Sequence, residues 1–171
     1  MIFTILLVIV LLFGFVVFFG APYVPSKKSE VKRAFDELYP LSREDILVDI
    51  GSGDGIVLRL AAQRGARAVG YEINPLLVII SRWLSRSSPE VKVYFESFWR
   101  ATLPRETTVV YVFGDSRDIA KMAQKVADSA AVIGRPLFFI SYAIRVPELV
   151  PIKQVGAHYL YKIEPLQRDT A

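Results

Sequence analysis

Apolar residues fall into two regimes along this chain. Ile2 to Phe19 is an 18-residue apolar run broken only by Thr4 and Gly14. At roughly 1.5 Å of rise per residue it is about the shortest helix that spans a bilayer core. Beyond Ser26 the apolar positions come in short periodic groups. Val31, Ala34, Phe35 and Leu38 recur at i, i+3, i+4 and i+7, which predicts an amphipathic helix that Pro40 ends. Five short apolar strands then follow over residues 46–50, 68–71, 91–95, 108–113 and 137–142. Helical patterns separate most of them. Gly55 to Arg64 is stopped by Gly65, and a helix from Asn74-Pro75 runs to about Arg86, with asparagine as N-cap and proline at N1. Ser116 to about Ala131 is stopped by Gly134. The tail from Ile152 to Ile163 carries β-like residues around Gly156 and suits a closing hairpin.

Alternation of this kind predicts an α/β fold with a mostly parallel, doubly wound sheet. The strands are continuously apolar, as they must be when helices cover both faces. Ligands in such sheets bind beyond the carboxyl ends of the strands. The loops after residues 50, 71, 95, 113 and 142 are therefore where function is expected.

Charge sharpens the division. The chain has 171 residues, and Met1 to Ser26 carry no charged side chain, so all 38 charges lie in the remaining 145 residues. The first positive charges are Lys27, Lys28, Lys32 and Arg33. No basic residue precedes the apolar run, which favours an uncleaved anchor over a cleaved signal. The basic cluster just after the span places the following domain on the cytoplasmic side, or in a mitochondrial membrane if the host is eukaryotic. The expected organisation is an anchor over 1–20, a connector and amphipathic helix over 21–40, and a catalytic domain over 41–171. The absence of cysteine excludes disulfides, zinc ribbons and thiol nucleophiles, and a single histidine excludes a multi-histidine metal site, so no metal is expected. The 13 arginines and eight lysines are otherwise dispersed, so no nucleic-acid partner is expected.

The strongest chemical signal is Asp49-Ile-Gly51-Ser-Gly53-Asp-Gly55, which leaves the first strand and opens the first following helix. Glycines there allow positive φ and close backbone approach to a ligand. Glu72 closes the second strand, 23 residues after Asp49, where an acid can accept hydrogen bonds from both hydroxyls of a ribose. A dinucleotide site wants G-x-G-x-x-G. Here the spacing is G-x-G-x-G, and Ile56 stands where the third glycine would fall.

These residues resemble the D-x-G-x-G-x-G signature of class I S-adenosylmethionine-dependent methyltransferases. That resemblance implies a Rossmann-like fold, S-adenosylmethionine as cofactor, and roles for Asp49, Gly51, Ser52, Gly53 and Glu72 in holding it. Four landmarks narrow it: Pro22-Tyr-Val-Pro25-Ser26, Val48 to Gly55, Gly70-Tyr-Glu-Ile-Asn-Pro75 and Tyr94-Phe-Glu-Ser-Phe-Trp99. In that order they resemble the membrane-anchored protein-lysine methyltransferases that act on the ATP synthase c-subunit and the adenine nucleotide translocase. The likeness implies that Tyr23 and Pro25 lie over the cofactor, with Asn74 and Phe113 also near it. It places Ser97 where eukaryotic members carry an aspartate, with the acid Glu96 one position earlier, in a loop that would meet the adenine amino group. The loop Phe113-Gly-Asp-Ser-Arg117 departs from the Gly-Val-Pro pattern of those relatives.

Methyl transfer from a sulfonium needs alignment more than a base. The polar groups at strand ends are Asp115, which equally suits a helix cap, and Tyr142, which equally suits edge packing. They are the catalytic candidates. His158 sits in the tail strand, far from the motif in sequence, and reads as structural. The expected function is methylation of a lysine on a membrane protein. The alternatives are methylation of a lipid or small hydrophobic molecule, or a non-catalytic cofactor-binding membrane scaffold.

Overall fold

The computed structural model describes residues 3–4, 27–113 and 118–165. The expected anchor, apart from Phe3 and Thr4, and the Pro22 to Ser26 connector lie outside the described residues. Among those described, no helix is long and apolar enough to cross a membrane.

Helix α1 (Lys28–Arg33) runs straight into a π-helical turn, Ala34–Leu38. Pro40 has no N–H to offer the Asp36 carbonyl, so the α ladder cannot continue. The Tyr39 N–H instead reaches back to Ala34 O at 2.9 Å. The pattern at 31, 34, 35 and 38 does mark the inward face, since all four residues are buried. The strands and helices that follow are β1 (Ile46–Ile50), α2 (Ile56–Ala62), β2 (Arg67–Glu72), α3 (Pro75–Leu84), β3 (Val91–Phe95) and β4 (Val109–Phe113). After them come α4 (Ile119–Ile133), β5 (Leu137–Tyr142), β6 (Lys153–Val155) and β7 (His158–Ile163).

Three helices differ from expectation at their ends. Gly55 has φ 79° and caps α2 instead of belonging to it, so the helix starts at Ile56 and closes at Ala62. The described part of α4 begins at Ile119 and continues to Ile133, two residues further than the pattern suggested, where Gly134 at φ 82° ends it. At α3 the start matches, and the helix ends at Leu84, two residues before the expected end. The Asn74 side chain accepts from the N–H groups of Leu76 and Leu77, and Pro75 takes the first turn.

The seven strands form one sheet in the order β3-β2-β1-β4-β5-β7-β6. Strands β1 to β5 are parallel, whereas β7 runs antiparallel to β5 and β6 antiparallel to β7. The mostly parallel sheet and the closing hairpin are thus both present. Strand order reverses between β2-β1 and β1-β4, so the crevice of the switch point opens at the carboxyl end of β1.

Strand alternation divides the core in two. Val48 and Ile50 face α4 and the Phe98–Leu103 segment, along with Val110, Val112 and Tyr161. Leu47, Val109, Tyr111 and Ile140 face α1, its π turn and α2. Gly70 in the middle of β2 is required by this second layer. A Cβ there would lie 2.6 Å from Leu58 Cδ1 and 2.7 Å from Ser52 Cβ. Gly70→Ala should therefore lower stability by about 1–3 kcal/mol through overpacking. Denaturant unfolding measures it, and no loss would show that the layer yields freely.

Candidate active site

The glycine turn after β1 is shaped by three residues of positive φ: Gly51 at 68°, Gly53 at 53° and Gly55 at 79°. Gly51 needs its conformation alone, because a Cβ there meets nothing within 4 Å. Gly55 needs space as well, since a Cβ would collide with Ser81 Oγ of α3. The turn is fastened to β2 by backbone bonds. The N–H groups of Gly51 and Ser52 donate to Tyr71 O at 2.9 and 3.1 Å.

Glu72 is the junction of the site. It is buried at the carboxyl end of β2, yet each oxygen receives a backbone donor. Gly53 N–H donates to Oε2 at 2.9 Å and Asn74 N–H donates to Oε1 at 2.7 Å. One carboxylate thus ties the glycine turn of β1 to the first turn of α3. A carboxylate offers about four lone-pair sites, so two remain for a ligand's hydroxyls.

Asp49 lies beneath the turn, flanked in register by Gly70 of β2 and Tyr111 of β4. Burial pushes its carboxyl well above the usual carboxylate range, and the charges of Glu72 and Asp54 push it further. Asp54 is partly offset by Arg59, whose guanidinium lies 3.1 Å from it. A crevice floored by Asp49 and Glu72 suits a ligand carrying positive charge and disfavours a pyrophosphate. S-adenosylmethionine, with ribose hydroxyls, a sulfonium and an ammonium, fits these residues, and the G-x-G-x-G spacing departs from that of a dinucleotide site.

The other candidates are distributed around this crevice. Ser52 is buried, and its side chain turns inward against Gly70, so its contribution toward the crevice is limited to its backbone. The side chain of Asn74 is committed to capping α3. Glu96 follows β3, exposed, and its N–H donates to Glu72 O at 3.1 Å. Ser97 is half-buried beside it, Phe98 enters the core, and Trp99 is largely exposed. Tyr23, Pro25 and Asp115 lie outside the described residues.

Phe113 and Tyr142 end β4 and β5 as register partners. Their ring centroids are 4.7 Å apart. Tyr142 is stacked in turn on His158, at 4.3 Å and 13° between planes. The structure corrects the placement of His158. Strand β7 returns beside β5, so His158 pairs with Tyr142 at the same end of the sheet as the glycine turn. Its Nε2 lies 2.9 Å from Tyr111 Oη. Sequence spacing could not reveal this contact, because it depends on the position of β7 in the strand order. The readable sign was the Gly156 turn immediately before His158.

No protein-family model matches the chain. Curated relatives do. The ATP synthase c-subunit lysine N-methyltransferase of Xenopus laevis is 38% identical over 119 residues, which is 66% of this chain and 51% of that protein. The adenine nucleotide translocase lysine N-methyltransferase of Mus musculus is 31% identical over 139 residues, 79% of this chain and 58% of that protein. The chain spans about half the length of the curated relatives it matches. Among solved structures, an RNA methyltransferase from Salinibacter ruber in complex with S-adenosyl-L-homocysteine superposes with a TM-score of 0.75 at 25% identity. That match covers 85% of this chain and 97% of the other. The fold is the Rossmann-like methyltransferase fold, the resemblance to the lysine methyltransferase group holds, and S-adenosylmethionine is the cofactor these relatives and this crevice share.

Glu72→Ala leaves the Gly53 and Asn74 N–H groups without their acceptor and removes the expected ribose partner. It should weaken S-adenosylmethionine binding at least tenfold by calorimetry and cost about 1–3 kcal/mol of stability. Unchanged affinity would remove the ribose role. A second expected outcome concerns pH. Burial lowers the His158 imidazole from 6.5 to about 4. The unfolded chain takes up this proton near pH 6.5 and the folded chain only near 4, so the contribution is present above pH 6.5 and lost as pH falls between these values. The slope is at most about 1.4 kcal/mol per pH unit. His158→Phe should therefore lose less Tm than the parent between pH 7 and 4.5, and an equal loss would contradict the assignment.

Proposed function

We propose that this chain, a Rossmann-like S-adenosylmethionine-dependent methyltransferase by fold and relationship, methylates a lysine side chain of a membrane protein. The observation that carries this reading is the relationship itself. Relatives at 38% and 31% identity are named as lysine N-methyltransferases of the ATP synthase c-subunit and of the adenine nucleotide translocase. Both of those named targets are membrane proteins.

Site geometry supports the reading. Glu72 would take the ribose hydroxyls, the turn at Gly51 and Gly53 would admit the close approach of the cofactor, and the Glu72 carboxylate favours its cationic end. Glu96 and Ser97 lie beside β2 on the side expected for adenine. When bound, S-adenosylmethionine would supply an electrophilic methyl on sulfur, so that an amine lone pair would form the N–C bond, the C–S pair would stay on sulfur, and the proton would leave to solvent. The chain's own task is to present a neutral amine in line, which orientation and an apolar approach accomplish without a dedicated base. Tyr23 and Pro25 are assigned over the cofactor by resemblance, and Asp115 remains a candidate at the acceptor side.

The anchor reading belongs to the same proposal. The apolar run over residues 2–19 would hold the domain at a bilayer and raise its effective concentration toward a membrane-bound target. Lys27, Lys28, Lys32 and Arg33 would set the domain on the cytoplasmic side, or in a mitochondrial membrane of a eukaryote. One structural detail supports this layout. A Cβ on Gly156, in the turn beside His158, would lie 3.1 Å from Glu30 Oε2 of α1. The chain therefore enters the domain at the end of the sheet where the candidate site lies.

Incubating membranes with the full chain and methyl-labelled cofactor, then separating protein, lipid and RNA, tests the reading. Label on protein lysine is expected. Label confined to lipid or to RNA would overturn it, and no label despite intact cofactor binding would point to a scaffold.

A further inference from the structure

The acceptor side of the site can be located from strand register. Ile50 of β1 is level with Val112 of β4, and Val112 is level with Ser141 of β5. Phe113 and Tyr142 stand one step further, level with Gly51 and the start of the glycine turn. Glu72 lies on the opposite side of β1, at the end of β2. A cofactor held at Glu72 by its ribose and lying across the turn would have its far end beside β4, the strand on the other side of β1. The first side chains there are Phe113 and, beyond it, Tyr142. Both pack toward the layer formed by α1 and α2, the same side on which the glycine turn leads into α2. Both are half-buried, so each ring has a covered part and an open part.

The covered part is backed by a continuous run of aromatic contacts. Tyr142 lies flat on His158, His158 Nε2 is 2.9 Å from Tyr111 Oη, and Tyr111 meets Phe35 edge-on at 6.0 Å and 70°. His158 is 1% exposed and Phe35 likewise. Burial keeps the imidazole deprotonated, so it brings no positive charge behind Tyr142. Tyr142 is thus held in one orientation by a rigid platform anchored in the core.

We infer that Phe113 and Tyr142 form the wall of the acceptor slot and select an alkylamine, with His158 as the positioning residue that fixes Tyr142. This deepens the proposed lysine methylation and rests on it. An aromatic wall removes water from an entering ammonium and so favours its neutral form. As the N–C bond forms, positive charge develops on nitrogen, and a ring face attracts that charge. The same wall offers no charged partner to a carboxylate or a phosphate. It therefore distinguishes an amine from acidic or phosphorylated acceptors.

The test uses the full chain, S-adenosylmethionine and, as acceptor, the purified c-subunit of ATP synthase in detergent. Tyr142→Leu should raise the KM for this acceptor at least tenfold while S-adenosylhomocysteine affinity by calorimetry stays within twofold. Tyr142→Phe, which keeps the ring, should recover most of that loss. His158→Ala should raise the KM as Tyr142→Leu does, and His158→Phe should recover it, because a flat ring again lies behind Tyr142. If Tyr142→Leu does not fold, Phe113→Leu takes its place with the same expected rise in KM. Folded Leu variants with unchanged KM and kcat would overturn the slot. So would a fall in cofactor affinity matching the fall in activity, which would move both rings to the cofactor pocket. A parent protein that binds cofactor but labels no lysine of the purified acceptor or of whole membranes would instead refute the lysine reading, and the slot with it.

Discussion

A single buried carboxylate organises the functional end of this protein. Glu72 accepts the Gly53 N–H on one oxygen and the Asn74 N–H on the other. The first bond fixes the glycine turn after β1, and the second fixes the start of α3. An uncompensated buried carboxylate would be costly, so the two donors also account for its presence there. The turn is held from below as well, by Tyr71 O, and from the side by the absence of Cβ at Gly55 and Gly70. The crevice is therefore preorganised, and its remaining acceptor capacity points to a ligand with adjacent hydroxyls and positive charge.

The second constraint is the sheet order. With β7 inserted beside β5, the chain brings a buried histidine to the end of the parallel strands. That histidine is neutral, hydrogen-bonded and stacked, so it acts as a rigid support in place of an acid or base. No helix forms between β5 and β6, residues 143–152, so this face of the domain stays thin. Phe113 and Tyr142 are left half-open at the carboxyl ends of β4 and β5 while their inner edges remain packed.

Much of this was legible in the sequence because it is local. Asn74-Pro75 specified both the cap and the first turn of α3, and Gly65 and Gly134 adopt the left-handed conformation that ends their segments. The parallel strands were readable from continuous apolar runs. That Asp49 and Glu72, 23 residues apart, fall at the same end of the sheet was readable because adjacent strands of a crossover unit run parallel. Other features depend on contacts that spacing does not encode. The Tyr111–His158 pair joins residues 47 apart through strand order. The inward turn of Ser52 depends on the space left by Gly70 on a neighbouring strand. The relationship to lysine methyltransferases is what first suggests the chemical class of the acceptor.

The most direct measurement of the central claim is calorimetric titration of the purified, folded protein with S-adenosylmethionine and, separately, with NAD. A crevice floored by Asp49 and Glu72 predicts saturable one-to-one binding of the sulfonium cofactor and none of the dinucleotide. Binding of NAD in preference, or no binding of S-adenosylmethionine by protein with a native circular dichroism spectrum, would contradict it.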